Sequence, residues 1–273
     1  MMQGSAQSDL HAAPRAGAGA PGMLLVRGLR KAFGGVQAVD DVSFDVAPGH
    51  MVALIGPNGA GKSTCFNLVN GQLRPDAGTV ALDGADITGW PPRRIWRQGV
   101  GRTFQIPATF GSMTVLENVQ VALASHAGRS YRLWRPLGRQ YAEPALALLA
   151  QVGMQAQADR QCGVLAYGDV KRVELAIALA GTPRLLLMDE PTAGMAADER
   201  HALMQLTRDL VRQHRLAVLF TEHSLDVVFA HADHIVVMDR GKLVAAGAPR
   251  AVADDARVRA VYLGAYAPKD DHD

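Results

Sequence analysis

The stretch MVALIGPNGAGKST, Met51 to Thr64, decides how this chain reads. MVALI is apolar without alternation, the pattern of a strand buried on both faces. Pro48-Gly49 marks a turn just before it. Gly56-Pro57-Asn58-Gly59-Ala60-Gly61-Lys62-Ser63 then fits G-x4-G-K-[ST] without a gap, and CFNLVNGQL behind it suits a helix. Strand, glycine-rich loop and helix together form the context in which this motif binds phosphate. The glycines let backbone N–H groups converge on an anion, and the helix N-terminus adds positive potential. Lys62 is placed to reach β- and γ-phosphates, and Ser63 to offer its hydroxyl to Mg²⁺.

Strand-like runs continue on both sides. MLLVRGL, AVDDVSFDV and TVALDG flank the loop, and Val42, Phe44 and Val46 alternate with Ser43 and Asp45 as in a half-buried strand. After residue 165 strands and helices alternate. A helix over 170–180 leads to LLLMD, one over 198–214 to AVLFT, and one over 224–232 to HIVVMD and KLVAAG. Near-continuous apolar strands separated by helices predict a largely parallel α/β sheet. The middle, about 88–165, reads as a helical insertion: Trp90-Pro91-Pro92, then arginines, then EPALALLAQVG. Arg129, Arg132, Arg135 and Arg139 fall on a loop-like part of it, read as a solvated face or as a contact with a membrane partner.

Two more strand ends carry polar groups. Leu185 to Glu190, LLLMDE, is four apolar residues followed by two carboxylates and Pro191. That charge is tolerated only where the strand end opens into a cleft. Beside a phosphate loop, Asp189 would hold Mg²⁺ and Glu190 would polarise the attacking water. AVLFT ends in Glu222-His223 at the sheet edge where ligands collect, which makes His223 a candidate γ-phosphate contact.

Composition bounds the rest. The chain has 273 residues, 48% of them hydrophobic, enough to bury a core as one large domain or two unequal lobes. A net charge of +2 with 20% charged residues singles out no nucleic acid and no acidic partner. Two cysteines, Cys65 and Cys162, argue against a disulfide framework and for a reducing compartment. No run approaches the roughly 20 apolar residues that span a bilayer. Residues 1–22, rich in Ala, Gly, Pro and Ser with Arg15 their one basic residue, read as a disordered leader. Residues 268–273 read as a polar tail.

LAYGDVKRVELAIAL, Leu165 to Leu179, joins a glycine-centred loop to an amphipathic helix. With it, the motifs resemble in order the ATP-binding subunit of ABC transporters, over about Leu24 to Tyr266. Phe33 in KAFGG matches the aromatic residue that stacks on adenine. GPNGAGKST is similar to the Walker A loop, Gln105 in GRTFQ to the Q-loop glutamine, and LAYGD to the signature loop. LLLMDE is similar to Walker B with its catalytic glutamate, TAGMA to the D-loop, and His223 to the switch histidine. LAYG before a basic, Glu-containing helix, DEPTAGM, and VYLGAY resemble the ATPases of branched-chain or hydrophobic amino-acid importers.

The resemblance implies a P-loop α/β fold of ABC ATPase type. Its parallel core sheet carries an N-terminal antiparallel β subdomain and a helical insertion, within one ATPase domain over 23–267. It implies ATP and Mg²⁺ as ligands, with Gln105 joining Ser63 and Asp189 around the metal. Glu190, His223 and Lys62 are the implied catalytic groups. Two ATPase subunits, identical or paralogous with a paralogue favoured, sandwich ATP so that Leu165, Ala166, Tyr167 and Gly168 of one cap the nucleotide of the other. The implied position is peripheral, on the cytoplasmic face of the inner or plasma membrane, against transmembrane permease subunits. Ala166 departs from the usual serine, which predicts weaker but functional capping, and Ala196 departs from the usual D-loop aspartate that makes a cross-dimer signalling contact. A urea or amide importer, a lipid exporter and a soluble ABC-type ATPase are the other assignments. A binding scaffold without turnover fits less well, since Glu190 and His223 are both present. The soluble ABC-type ATPase is disfavoured by the absence of a second motif copy or a heptad run.

Overall fold

β3 (Met51–Ile55) pairs in parallel with β8 (Ala217–Thr221) on one side and β9 (His234–Asp239) on the other. The sheet extends through β7 (Leu185–Asp189) to β6 (Val100–Thr103), and beyond β9 to the antiparallel β10 (Lys242–Gly247). The order is β10-β9-β3-β8-β7-β6. This computed structural model describes residues 23–128 and 141–264. The expected leader 1–22, the segment carrying Arg129, Arg132, Arg135 and Arg139, and the chain after 264 with its expected polar tail lie outside the described residues.

Continuous apolar strands are explained by two cores, one on each face of the sheet. Met51, Ala53 and Ile55 of β3 enter one, with Val218 and Phe220, Leu186 and Met188, Ile235 and Val237. Val52 and Leu54 enter the other, with Ala217 and Leu219, Leu185 and Leu187, Val236 and Met238. Strands buried on both sides need no polar alternation. Around the second core lies an antiparallel sheet of order β2-β1-β4-β5, made of β1 (Leu24–Phe33), β2 (Val36–Val46), β4 (Ala77–Leu82) and β5 (Ala85–Asp86). Val42, Phe44 and Val46 point into that core while Ser43 and Asp45 stay half-exposed, as the alternation predicts.

Helix α1 (Lys62–Val69) follows the glycine-rich loop and buries Cys65, Phe66, Leu68 and Val69 in the second core. α2 (Pro92–Arg97) begins with proline at its first position, where no N–H is missed. α3 (Val115–His126) starts from a capping box, Thr114 with Glu117, and packs on α4 (Ala142–Gln151). α5 (Tyr167–Leu179), α6 (Ala197–His214), α7 (Leu225–His231), α8 (Pro249–Asp254) and α9 (Ala256–Gly264) complete the chain.

The stretch about 88–165 is not wholly helical. Its residues 100–103 form β6, the edge strand, in register with β7 from Val100↔Leu185 to Thr103↔Met188. VGRT carries one large apolar residue, so its strand character comes from pairing and not from pattern. Helix α2 precedes this strand, and α3 and α4 follow it. Cys65 and Cys162 are free and buried; burial pushes the Cys65 thiol up to about 12 and raises that of Cys162.

Candidate active site

The phosphate loop hangs from the carboxyl end of β3, and two of its glycines have steric causes. Gly56 has φ 153°, and a side chain there would overlap the carbonyl oxygen of Met238. Gly61 caps α1 at φ 96°, and its added Cβ would overlap the carbonyl of Ala38. Each is fixed by a positive φ and by backbone packed against it. Lys62 is 7% exposed and lies back over the loop, its Nζ donating to the carbonyls of Gly56 at 2.7 Å and Pro57 at 2.9 Å. Burial lowers its pKa from the ordinary lysine value, and the negative charge of Glu190 opposes that. Asn58 and Ser63 are exposed, while Pro57 and Thr64 are half-buried and Ala60 is buried.

Glu190 sits where three loops meet. His223 Nε2–H donates to its Oε1 at 2.7 Å, and Gln105 Nε2 donates to its Oε2 at 2.9 Å. Its backbone is left-handed, φ 46°, directly before Pro191. That conformation costs a non-glycine residue roughly 1–2 kcal/mol. The conformation is held by Thr221, whose Oγ1 accepts the Glu190 N–H at 3.0 Å and donates to Asp189 Oδ1 at 2.8 Å. The other Asp189 oxygen faces Arg102, 3.7 Å away. Glu222 is 4% exposed and accepts from Thr192 Oγ1 at 2.6 Å and from the N–H groups of His223 at 2.9 Å and Ser224 at 3.3 Å. It thereby fixes the turn that presents His223.

The loops thus bring Gln105, Asp189, Glu190 and His223 together, with Lys62 close enough to feel the charge of Glu190. Phe33 stands apart at the end of β1, 46% exposed, with Lys31 Nζ 5.5 Å from its ring centre. Leu165 to Gly168 also stand apart: among the described residues their hydrogen-bond link towards the site is Tyr167 Oη to the Gln105 carbonyl, 3.3 Å. α5 starts at Tyr167, three residues before the predicted 170. Ala166 is its N-cap and supplies no side-chain cap, so the turn that a serine would satisfy rests on backbone alone. Along this amphipathic helix Val173, Leu175, Lys171 and Glu174 are buried, while Val170 and Ile177 are half-buried. Gly168 needs no positive φ, and a Cβ there would make ordinary contacts at 3.5 Å with Glu199 and Met195. Nothing among the described residues requires that glycine.

Thr221, Glu222, Thr192 and Arg102 escape a sequence reading. Thr221 and Glu222 flank the predicted strand end, and their polarity at a buried position is the one available signal. Ser63, Gln105 and Asp189 offer hydroxyl, amide and carboxylate oxygens, a set suited to a hard cation such as Mg²⁺. Among the described residues no group of three or more His, Cys, Asp or Glu forms a metal cage.

The family profile described as ABC transporter matches residues 39–193. The chain is 39% identical over 249 residues to the high-affinity branched-chain amino acid transport ATP-binding protein BraF of Pseudomonas aeruginosa, covering 89% of this chain and 98% of BraF. It superposes on the ADP conformation of MJ1267, an ATP-binding cassette of an ABC transporter, with a TM-score of 0.80, at 32% identity, covering 90% of this chain and 100% of MJ1267. It also matches a dimeric post-hydrolysis structure of the cassette MJ0796 bound to ADP and Pi, with a TM-score of 0.70 and 26% identity, covering 84% of this chain and 99% of MJ0796.

Proposed function

The chain belongs to the ABC transporter family, and on that premise we propose that it is the ATP-hydrolysing subunit of an importer for branched-chain or other hydrophobic amino acids. The observation that carries the catalytic part is the carboxylate of Glu190 held between His223 and Gln105, at the lip of the Lys62 loop. The transport part rests on the likeness to BraF over nearly the full length of both chains.

The loop amides and Lys62 receive the β- and γ-phosphates, and Phe33 receives the adenine. The Lys62 ammonium exchanges its two loop carbonyls for phosphate oxygens, keeping its hydrogen bonds while gaining charge neutralisation. Each Glu190 oxygen accepts one hydrogen bond and retains a further lone pair, so the carboxylate can orient a water and take its proton. His223 fixes the direction of that carboxylate. Phosphoryl transfer depends chiefly on positioning and charge, so these roles suffice. Mg²⁺, when bound through Ser63, Asp189 and Gln105, neutralises phosphate charge.

Two further partners belong to this reading. A second ATPase subunit accounts for Gly168, which this chain's own packing does not demand: Leu165 to Gly168 cap the partner's nucleotide with the N-terminus of α5. A paralogue is favoured over self-pairing because Ala166 removes the hydroxyl cap. Permease subunits account for the apolar side chains left open beside Gln105: Phe104, Ile106 at 83% exposure and Phe110. No helix among the described residues is long and apolar enough to cross a membrane. The likeness to BraF supports a peripheral place on the cytoplasmic face, against those permease subunits. The deciding experiment is steady-state ATP hydrolysis by Glu190→Gln. Turnover falls by about 10²–10⁴ while ATP affinity stays. Turnover near that of the wild type rejects the assignment.

A further inference from the structure

α5 grips the loop that carries Gln105, and it does so with buried charge. Lys171 Nζ donates to the carbonyl of Phe104 at 2.7 Å and to that of Gln105 at 2.9 Å. One turn further along, Glu174 Oε1 accepts the Phe104 N–H at 2.7 Å. The two side chains are each 3% exposed and lie 3.5 Å apart. At the head of the helix the Tyr167 hydroxyl adds its bond to the Gln105 carbonyl. Three polar backbone groups of the two residues just past the end of β6, both of Phe104 and the carbonyl of Gln105, are therefore satisfied by side chains of one helix, where a strand or turn would ordinarily satisfy them.

We propose that Lys171 and Glu174 are positioning residues that lock the Gln105 loop to the first turn of α5, so that the two segments move as one body. The proposal rests on the function given above. The side chain of Gln105 reads this chain's nucleotide through Glu190, and its backbone is clamped to the helix whose first turn faces the partner's nucleotide. Phe104 and Gln105 cannot leave the helix without stranding an ammonium and a carboxylate in the interior, which is costly. A change at Gln105 therefore reaches Leu165–Gly168 by displacement of a rigid piece, through polar contacts specific to this helix.

The clamp is tested by hydrogen exchange on the full chain, with and without Mg·ADP, at a concentration where gel filtration shows a monomer. A partner's nucleotide then plays no part. In the wild type, nucleotide is expected to slow exchange in residues 103–108 and 166–172 together and by the same factor. In Lys171→Met the response of 103–108 persists and that of 166–172 is lost; Lys171→Arg, which keeps charge and donors, restores it. A packing role alone would lower the melting temperature without separating the two responses. An undiminished response of 166–172 in Lys171→Met overturns the proposal. So does a wild type in which only one segment responds, which decides the matter even if Lys171→Met does not fold. Nucleotide affinity is measured on the same samples. Failure of the wild type to bind refutes the proposed function, whereas binding with uncoupled segments refutes the clamp alone.

Discussion

Thr221→Val removes one hydroxyl and leaves the shape of the side chain nearly unchanged, so it isolates what that oxygen does. Thr221 is 1% exposed, and its Oγ1 serves Asp189 and the Glu190 N–H at once. Hydrogen bonds to charged groups contribute about 1.5–3 kcal/mol, and Asp189 is partly solvated, so the lower end applies. Leaving the Glu190 N–H without a partner costs about 1–3 kcal/mol more. The sum, about 2.5–4.5 kcal/mol, corresponds to a fall in melting temperature of roughly 5–18 °C for a chain of this size. The functional loss has a different origin. Glu190 is held in a left-handed conformation by this bond, and release lets its carboxylate turn away from the line of attack. A misorientation of that kind reduces kcat by about 10- to 100-fold, or 1.4–2.8 kcal/mol of barrier. Nucleotide Kd should stay within about threefold, because the Lys62 loop is untouched. Thr221→Ser keeps both bonds and should recover most of the rate. The assays are thermal unfolding, nucleotide titration and steady-state hydrolysis. Full hydrolytic activity in Thr221→Val would refute the view that this hydroxyl sets the catalytic carboxylate.

Lys62→Ala should weaken ATP binding by at least about tenfold, since a charge-assisted bond to phosphate is lost; titration with a fluorescent nucleotide checks it, and unchanged affinity would contradict the cradle. Gly61→Ala places a Cβ against the Ala38 carbonyl at positive φ and should abolish nucleotide binding or lower the melting temperature sharply, as unfolding and titration in parallel would report. His231 has its pKa lowered by burial first, then by His201 and Arg208. Its folded value lies below the unfolded one, so its contribution is present above the ordinary imidazole range and lost as pH falls through and below it. Melting at pH 7.5 and 5.5 should show a fall that is smaller in His231→Phe; an equal fall in both would rule this residue out as its source.

Much of this architecture is legible in the residue string because it rests on local rules. The unalternated MVALI is legible as a doubly buried strand, and its five residues do divide between two cores. The glycine-rich loop is legible because its spacing has a steric cause, seen at Gly56 and Gly61. Less legible are features that arise from pairing across distance. VGRT becomes a strand only through β7, so its residues do not mark it off from the helices on either side. Lys171 and Glu174 would pass for the polar face of α5, yet both are buried, because the backbone they bind lies 66 to 70 residues away in sequence. Thr221 carries no motif signal at all; its importance follows from bonding both Asp189, the last residue of the neighbouring strand, and Glu190 just beyond it.

The two native thiols have a practical consequence. Cys65 lies behind the phosphate loop and Cys162 accepts a bond from Asn118 Nδ2 at 3.3 Å; both are buried, and burial keeps both protonated. Alkylating reagents attack thiolates, so the folded chain is chemically silent towards them. A cysteine placed at the exposed Ala166 would then be the single reactive handle on an otherwise unaltered background. Its rate of alkylation, followed as nucleotide and a second subunit are added, would report in real time when the helix tip becomes covered.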